Sequence, residues 1–173
     1  MKRLGLLRHA KSDVDDLSLR DFDRGLNSRG RKGAALMGRH IRERGDAWDL
    51  ILASPAERVK LTLEASGLDV PIEWAQQAYL ADANALISLL QRVDNDAAAL
   101  LLVGHNPGLQ ELVFALDAEN AQFPQIADKF PTASYAVLDL AIDCWADCVL
   151  GCGTLVHFAR PRDLDPELGP ETR

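Results

Sequence analysis

Two apolar runs in this chain end in the same way. Leu4-Gly5-Leu6-Leu7 runs into Arg8-His9-Ala10, and Leu101-Leu102-Val103-Gly104 runs into His105-Asn106-Pro107. Short apolar runs closed by polar residues or proline read as buried strands, and strands buried on both faces belong to parallel sheets covered by helices. In an open α/β sheet, ligands bind in the crevice outside the carboxyl ends of the strands. Residues just past two such strands therefore converge even when they are far apart in the chain.

The rest of the chain supports the same architecture. After the first strand comes a polar loop, Lys11 to Arg24, carrying Asp13, Asp15, Asp16, Asp21 and Asp23. Asn27 as N-cap, Ala34, Met37 and Ile41 at helical spacing, and Gly45 as a stop predict a helix over 28–44. Trp48 to Ala53 reads as a second strand. Ser54-Pro55-Ala56-Glu57 has the capping-box pattern, with Ser54 as N-cap, which places Arg58 in the first helical turn beside unpaired backbone N–H groups. Val70 to Trp74 reads as a third strand, and Leu86, Leu89, Leu90 and Val93 mark one face of another helix.

Ala98 to Val103 is the most apolar strand, and Asn106-Pro107 repeats the cap-plus-proline start before Leu109, Leu112, Val113 and Leu116. Ser134 to Leu140 and Thr154 to Arg160 follow one another as strands with a cysteine-rich connection, as at a hairpin-like sheet end. The fold class expected is α/β: one three-layer domain, mainly a parallel sheet with helices on both faces. The domain is expected over 1–163, with a surface tail over 164–173.

Composition narrows the function. The 173 residues, 47% hydrophobic, suffice for one self-sufficient core. A net charge of −7 argues against a nucleic-acid partner and requires any phosphate site to be a local gathering of arginines and backbone N–H groups. No stretch reaches the ~20 apolar residues of a membrane span, and Arg8 interrupts the first apolar run too early for a signal peptide, so a cytoplasmic protein is expected. Cys144, Cys148 and Cys152 are odd in number and lack a zinc spacing, so neither a disulfide framework nor a bound metal is expected.

Three strand-end turns thus carry Arg8-His9, Arg58 and His105. With Leu7-Arg8-His9-Ala10-Lys11-Ser12, Asp21-Phe22-Asp23-Arg24-Gly25-Leu26-Asn27 with Arg29-Gly30, Ser54-Pro55-Ala56-Glu57-Arg58 and Val103-Gly104-His105-Asn106-Pro107-Gly108, the chain resembles the histidine phosphatase superfamily, whose fold is phosphoglycerate mutase-like. Within it the chain resembles the short SixA-type phosphohistidine phosphatases. These stretches span most of the first two thirds of the sequence. Residue 10 is Ala where the commonest form has Gly.

The resemblance implies that His9 attacks phosphorus and is transiently phosphorylated, with Arg8, Arg58 and His105 holding the phosphoryl group. A nucleophilic imidazole must be neutral, and cationic neighbours favour that state. Ser12 and Arg24 either line the phosphate pocket or serve the loop and the helix entry. Asp82 is either a general acid or the N-cap of the helix that follows. The resemblance implies no cofactor, and a phosphohistidine-bearing protein as partner. Two alternatives remain open at this stage: a small-molecule phosphomonoesterase of the same superfamily, and a non-catalytic phosphate- or phosphoprotein-binding module. Oligomeric state is not readable.

Overall fold

The computed structural model describes residues 1–119 and 123–169. A six-stranded sheet has the order β3-β2-β4-β1-β5-β6, with β1 over Lys2–Arg8, β2 over Leu50–Ala53, β3 over Ile72–Trp74, β4 over Ala99–Gly104, β5 over Tyr135–Leu140 and β6 over Gly153–Ala159. The first four in that order are parallel, and β5 and β6 are antiparallel additions at one edge. Side-chain alternation divides the core between two layers. Leu4, Leu6, Leu100 and Leu102 pack with Leu86, Leu90, Leu109 and Leu112, from α3 (Ala83–Leu90) and α4 (Gly108–Leu116). Leu7, Ile51, Leu101 and Val103 pack on the opposite face with Met37, Ile41, Val59 and Leu63, from α1 (Ser28–Arg44) and α2 (Glu57–Ser66).

The predicted limits of α1 hold: the Asn27 side chain accepts from the Gly30 N–H at 2.7 Å, and Gly45 closes the helix in the left-handed region at φ 75°. Other helix starts are corrected. Ser54 does not cap α2; the helix begins at Glu57, with Ala56 in the capping position, and no side chain caps it. Likewise α4 begins at Gly108, beyond the proline. Ser54 bonds instead at the site described below, whereas the Asn106 side-chain oxygen still accepts from the Gln110 N–H in the first turn of α4, at 3.2 Å. Trp48 and Trp145 are buried, whereas Trp74 lies 44% exposed on the edge strand β3.

The segment expected as a surface tail is partly structured. A short helix α5, Pro161–Leu164, and a 3-10 turn, Pro166–Leu168, return towards α1, where the Arg29 guanidinium donates to the Gly169 carbonyl. Residues 170–173 of that tail lie outside the described residues. Cys144, Cys148 and Cys152 are free thiols. Among the described residues, no helix is long and apolar enough to cross a membrane, and no group of three or more His, Cys, Asp or Glu is placed to hold a metal.

Candidate active site

Strand register brings the two histidines together. Arg8 is paired with Gly104 across the parallel β1–β4 ladder, and the His9 N–H donates to the Gly104 carbonyl at 3.0 Å. His9 and His105 are therefore the next residues on adjacent strands, on the same side as Leu7 and Val103, towards α2. Their ring centroids are 5.2 Å apart, and both side chains are buried. Arg58, in the first turn of α2, is 3% exposed and reaches the same place, with Nη2 3.3 Å from Nδ1 of His105.

Neighbours fix the proton on each ring. Nδ1 of His9 lies 2.8 Å from the Ala10 carbonyl oxygen, which can only accept, so Nδ1 carries the proton and the Nε2 lone pair is exposed to reaction. For His105 the roles reverse: Nδ1 accepts from Arg58, and Nε2–H donates to Ser54 Oγ at 2.8 Å. Burial, joined by the charges of Arg8, Arg58 and His105, pushes His9 down to about 3 against the pull of its bond to Ala10. Burial and Arg58 likewise push His105 down to about 4. Both rings are neutral at physiological pH.

Ala10 takes the place of the commoner Gly without strain. Its φ is not in the left-handed region, it is fully buried, and its N–H donates to Thr62 Oγ1 at 2.9 Å. Thr62 in turn donates to the Arg58 carbonyl at 2.6 Å, one helical turn back, which ties α2 to the loop after His9. The strained residue nearby is Ala133, at φ 59°, whose N–H donates to the carbonyls of both Arg8 and His9. Glycine is demanded at residue 30, where an added Cβ would lie 2.1 Å from the Lys11 carbonyl oxygen, and at residue 108, where it would meet the Ala81 carbonyl at 1.9 Å. These contacts seat α1 and α4 against the two sides of the site.

The fold thus brings Arg8, His9, Arg58 and His105 together. Arg8 donates from Nη1 to the Phe130 carbonyl at 2.9 Å, while its buried Nε has no partner. Asn106, whose oxygen accepts from the Gln110 N–H in the first turn of α4, donates from its amide nitrogen to that same carbonyl at 3.2 Å. Arg24 is one step removed, pairing with Asp21, which also receives Arg58. Ser12 forms an isolated antiparallel bridge with Leu26 in the loop after β1. Asp82 is exposed and caps α3, accepting from the Ala85 N–H at 2.8 Å.

Sequence reasoning missed Asp21 and Tyr79. The Asp21 carboxylate receives Arg58 Nη2 at 3.0 Å, Arg24 and the Tyr79 hydroxyl, and its backbone carbonyl receives Arg58 Nη1 at 2.7 Å. Burial raises the Asp21 carboxyl, but those hydrogen bonds outweigh it and hold the group well below the usual carboxylate range. Tyr79 stacks edge-on against His105, with 5.4 Å between ring centroids, and Phe22 packs edge-on against Tyr79. Asp21 was indistinguishable among five aspartates of one loop, though the apolar Phe22 beside it was a usable signal.

Two cationic guanidinium groups, an imidazole with a bare lone pair and a second neutral imidazole held between Arg58 and Ser54 form a centre suited to phosphoryl transfer. The fold places it at the carboxyl ends of parallel strands, and this class is a phosphatase of the histidine phosphatase type. No family model matches the chain. An uncharacterized protein of Mycobacterium tuberculosis is 38% identical over 160 residues, covering 90% of this chain and 100% of the relative. Among solved structures, a protein named as a candidate phosphohistidine phosphatase SixA from Agrobacterium tumefaciens is 31% identical, with TM-score 0.79, covering 92% of this chain and 98% of that one. A second SixA candidate, from Nakamurella multipartitia, is 25% identical with TM-score 0.82, covering 92% and 96% of the two chains. The chain belongs to the SixA-like family of the histidine phosphatase superfamily.

Proposed function

We propose that the protein removes phosphate from phosphohistidine on a protein, through a phosphorylated His9. The observation that carries this reading is the fixed tautomer of His9: Nδ1–H is committed to the Ala10 carbonyl, and a ring held neutral by burial and by the charges of Arg8 and Arg58 keeps Nε2 free. The Nε2 lone pair attacks phosphorus as the P–N bond to the substrate imidazole breaks. The departing nitrogen keeps the bonding pair and takes a proton. Water then attacks the phosphorus on His9, giving inorganic phosphate and restoring Nε2. Arg8 and Arg58 neutralise the equatorial oxygens through both displacements, with His105 beside them.

Asp21 acts on Arg58 and not on phosphorus. It receives both terminal nitrogens of Arg58, through its carboxylate and its own carbonyl, and so fixes the plane of the guanidinium. A protein-borne substrate is favoured by the same loop. Val14, Leu17 and Leu19, between the nucleophile and Asp21, are 56%, 93% and 45% exposed, an apolar rim that a macromolecule would cover.

The test is to incubate the protein with a histidine-phosphorylated protein carrying labelled phosphate and quench within the turnover time. Label should pass to the peptide containing His9 with the acid lability of a phosphoramidate. Turnover by His9→Ala at the wild-type rate, or label on another residue, overturns the reading.

A further inference from the structure

On the other side of the loop that follows His9 lies a cavity of about 200 Å³. Its wall carries Lys11, Arg29, Lys129, Arg160 and Arg162 and no acidic residue. That is a local reversal, because the whole chain has 26 Asp and Glu against 19 Lys and Arg. Arg160 is neutralised by a two-pronged pair with Asp163. The other four are in no ion pair among the described residues. Lys11 and Lys129 are exposed, Arg29 donates to a neutral carbonyl at Gly169, and the Nε of Arg162 is buried without a hydrogen-bond partner. Five cations gathered on a concave wall against the single carboxylate of Asp163, which acts on Arg160 and Arg162, repel one another, and an oxyanion seated among them relieves that repulsion.

None of Arg8, His9, Arg58 and His105 lines this cavity, so it is not the phosphoryl site seen from behind. The two share a wall. Ala10, whose carbonyl sets the His9 tautomer, lines the cavity, as does Ala133, whose N–H holds the Arg8 and His9 carbonyls.

We infer that this cavity is a second anion site, taking a phosphate-class polyanion beside the phosphoryl site at His9. The inference adds a subsite to the proposed phosphatase. Its existence rests on the cavity itself; only the origin of its anion bears on that reading. The anion is either carried by the substrate protein, as a second recognition point, or is a free small phosphate compound.

Pyrophosphate is the probe, titrated at low salt into the isotopically labelled full chain while backbone amides are followed by NMR. The amides of Gly33 and Thr132, in the cavity wall, should saturate along a curve separate from those of Ser54 and His105. Lys129→Gln with Arg162→Gln should weaken the cavity curve about tenfold and leave the His105 curve unchanged. Lys129→Gln alone removes an exposed, unpaired charge and should give the same result in smaller measure on an unperturbed fold. Silence at Gly33 and Thr132, or shifts there that the substitutions do not alter, overturns the inference.

Kinetics then assign the source. If the substrate protein brings the anion, the double variant raises KM for the phosphoprotein about tenfold and leaves a small phosphoester unchanged. A free anion leaves both KM values unchanged while pyrophosphate binding is lost. Failure of the phosphohistidine reading shows instead as absent His9 labelling, and the NMR titration does not depend on it.

Discussion

The chain has four histidines, and they fall into two pairs that look alike until their surroundings are compared. His9 and His105 have ring centroids 5.2 Å apart, and His40 and His157, between α1 and β6, 5.1 Å apart. All four are held below the ordinary histidine range, with burial the leading cause each time. The difference lies in where the nitrogens point. His40 and His157 bond each other, Nε2 to Nε2 at 3.0 Å, which consumes the reactive position on both rings. At the other pair, the Ala10 carbonyl, Arg58 and the Ser54 hydroxyl take three nitrogens and leave His9 Nε2 free, under the influence of the Arg8 and Arg58 charges. A depressed imidazole is therefore a property of burial shared by both pairs, and only the hydrogen-bond assignment separates the reactive one.

The sharpest way to break this contrast is to delete one ring from each pair. His9→Ala should lower turnover of a histidine-phosphorylated protein by about 10⁴-fold or more, since nothing else in the site supplies the nucleophile. His157→Ala should leave turnover within about threefold, because its partner is another side chain and not a substrate. Comparable losses in the two variants, measured in single turnover, would erase the distinction.

Next in size is the cation that separates the pairs. Arg58→Gln should cost about 10²- to 10³-fold in kcat, the range expected for removing one preorganised transition-state donor. Asp21→Asn, which leaves Arg58 in place and loosens its plane, should cost about tenfold. If Asp21→Asn equalled Arg58→Gln, Asp21 would have to act on the substrate itself.

What the pairs share should appear in stability. His9 is held to about 3, and His105 and His157 to about 4, against 6.5 for a free histidine. As pH falls below 6.5, the unfolded chain takes up protons that the folded chain refuses. Stability is thus fully present above pH 6.5 and is lost progressively down to about pH 3. Urea unfolding at pH 7 and pH 4.5 should reveal that loss. His157→Gln should shrink it by about a quarter to a third while activity at pH 7 is unchanged, since all four histidines contribute to one pH dependence by the same mechanism. An unchanged pH slope in this variant would mean that the second pair is not held neutral by the fold.

The sequence made one pair legible and concealed the other. His9 and His105 follow apolar strands directly, so strand-end geometry and residue type announced them together. His40 lies mid-helix, and a helical period says nothing about a strand 117 positions away that comes to cover it. The same limit applies within the site. Arg58 was placed in the first turn of α2 correctly although its cap was wrong: Ser54 has the residue type of a cap, but tertiary contact turns its hydroxyl to His105. The parallel direction of β1 to β4 followed from alternation of strands and helices, and the antiparallel close from two strands with no helix between them, whereas alternation does not set the order of the strands in the sheet. Asp21 and Tyr79 were not legible either, because their roles come from a loop folding back over two elements that carry no local period.

Asp82 gives the smallest expected effect and tests how much chemistry the His9 pair must do unaided. Its carboxylate accepts from the Ala85 N–H, as an N-cap does, yet it stands three residues after Tyr79, which lies against His105. Asn is as good a cap as Asp and a far poorer acid, so Asp82→Asn separates the two roles without disturbing α3. An imidazole leaving group accepts a proton readily, whereas an alkoxide leaving from an ester needs one delivered. Turnover of phosphohistidine by Asp82→Asn should therefore stay within about threefold, with the thermal midpoint unchanged. If the variant instead loses phosphohistidine turnover about 10²-fold, Asp82 delivers the proton, and the site is built for esters as much as for phosphohistidine.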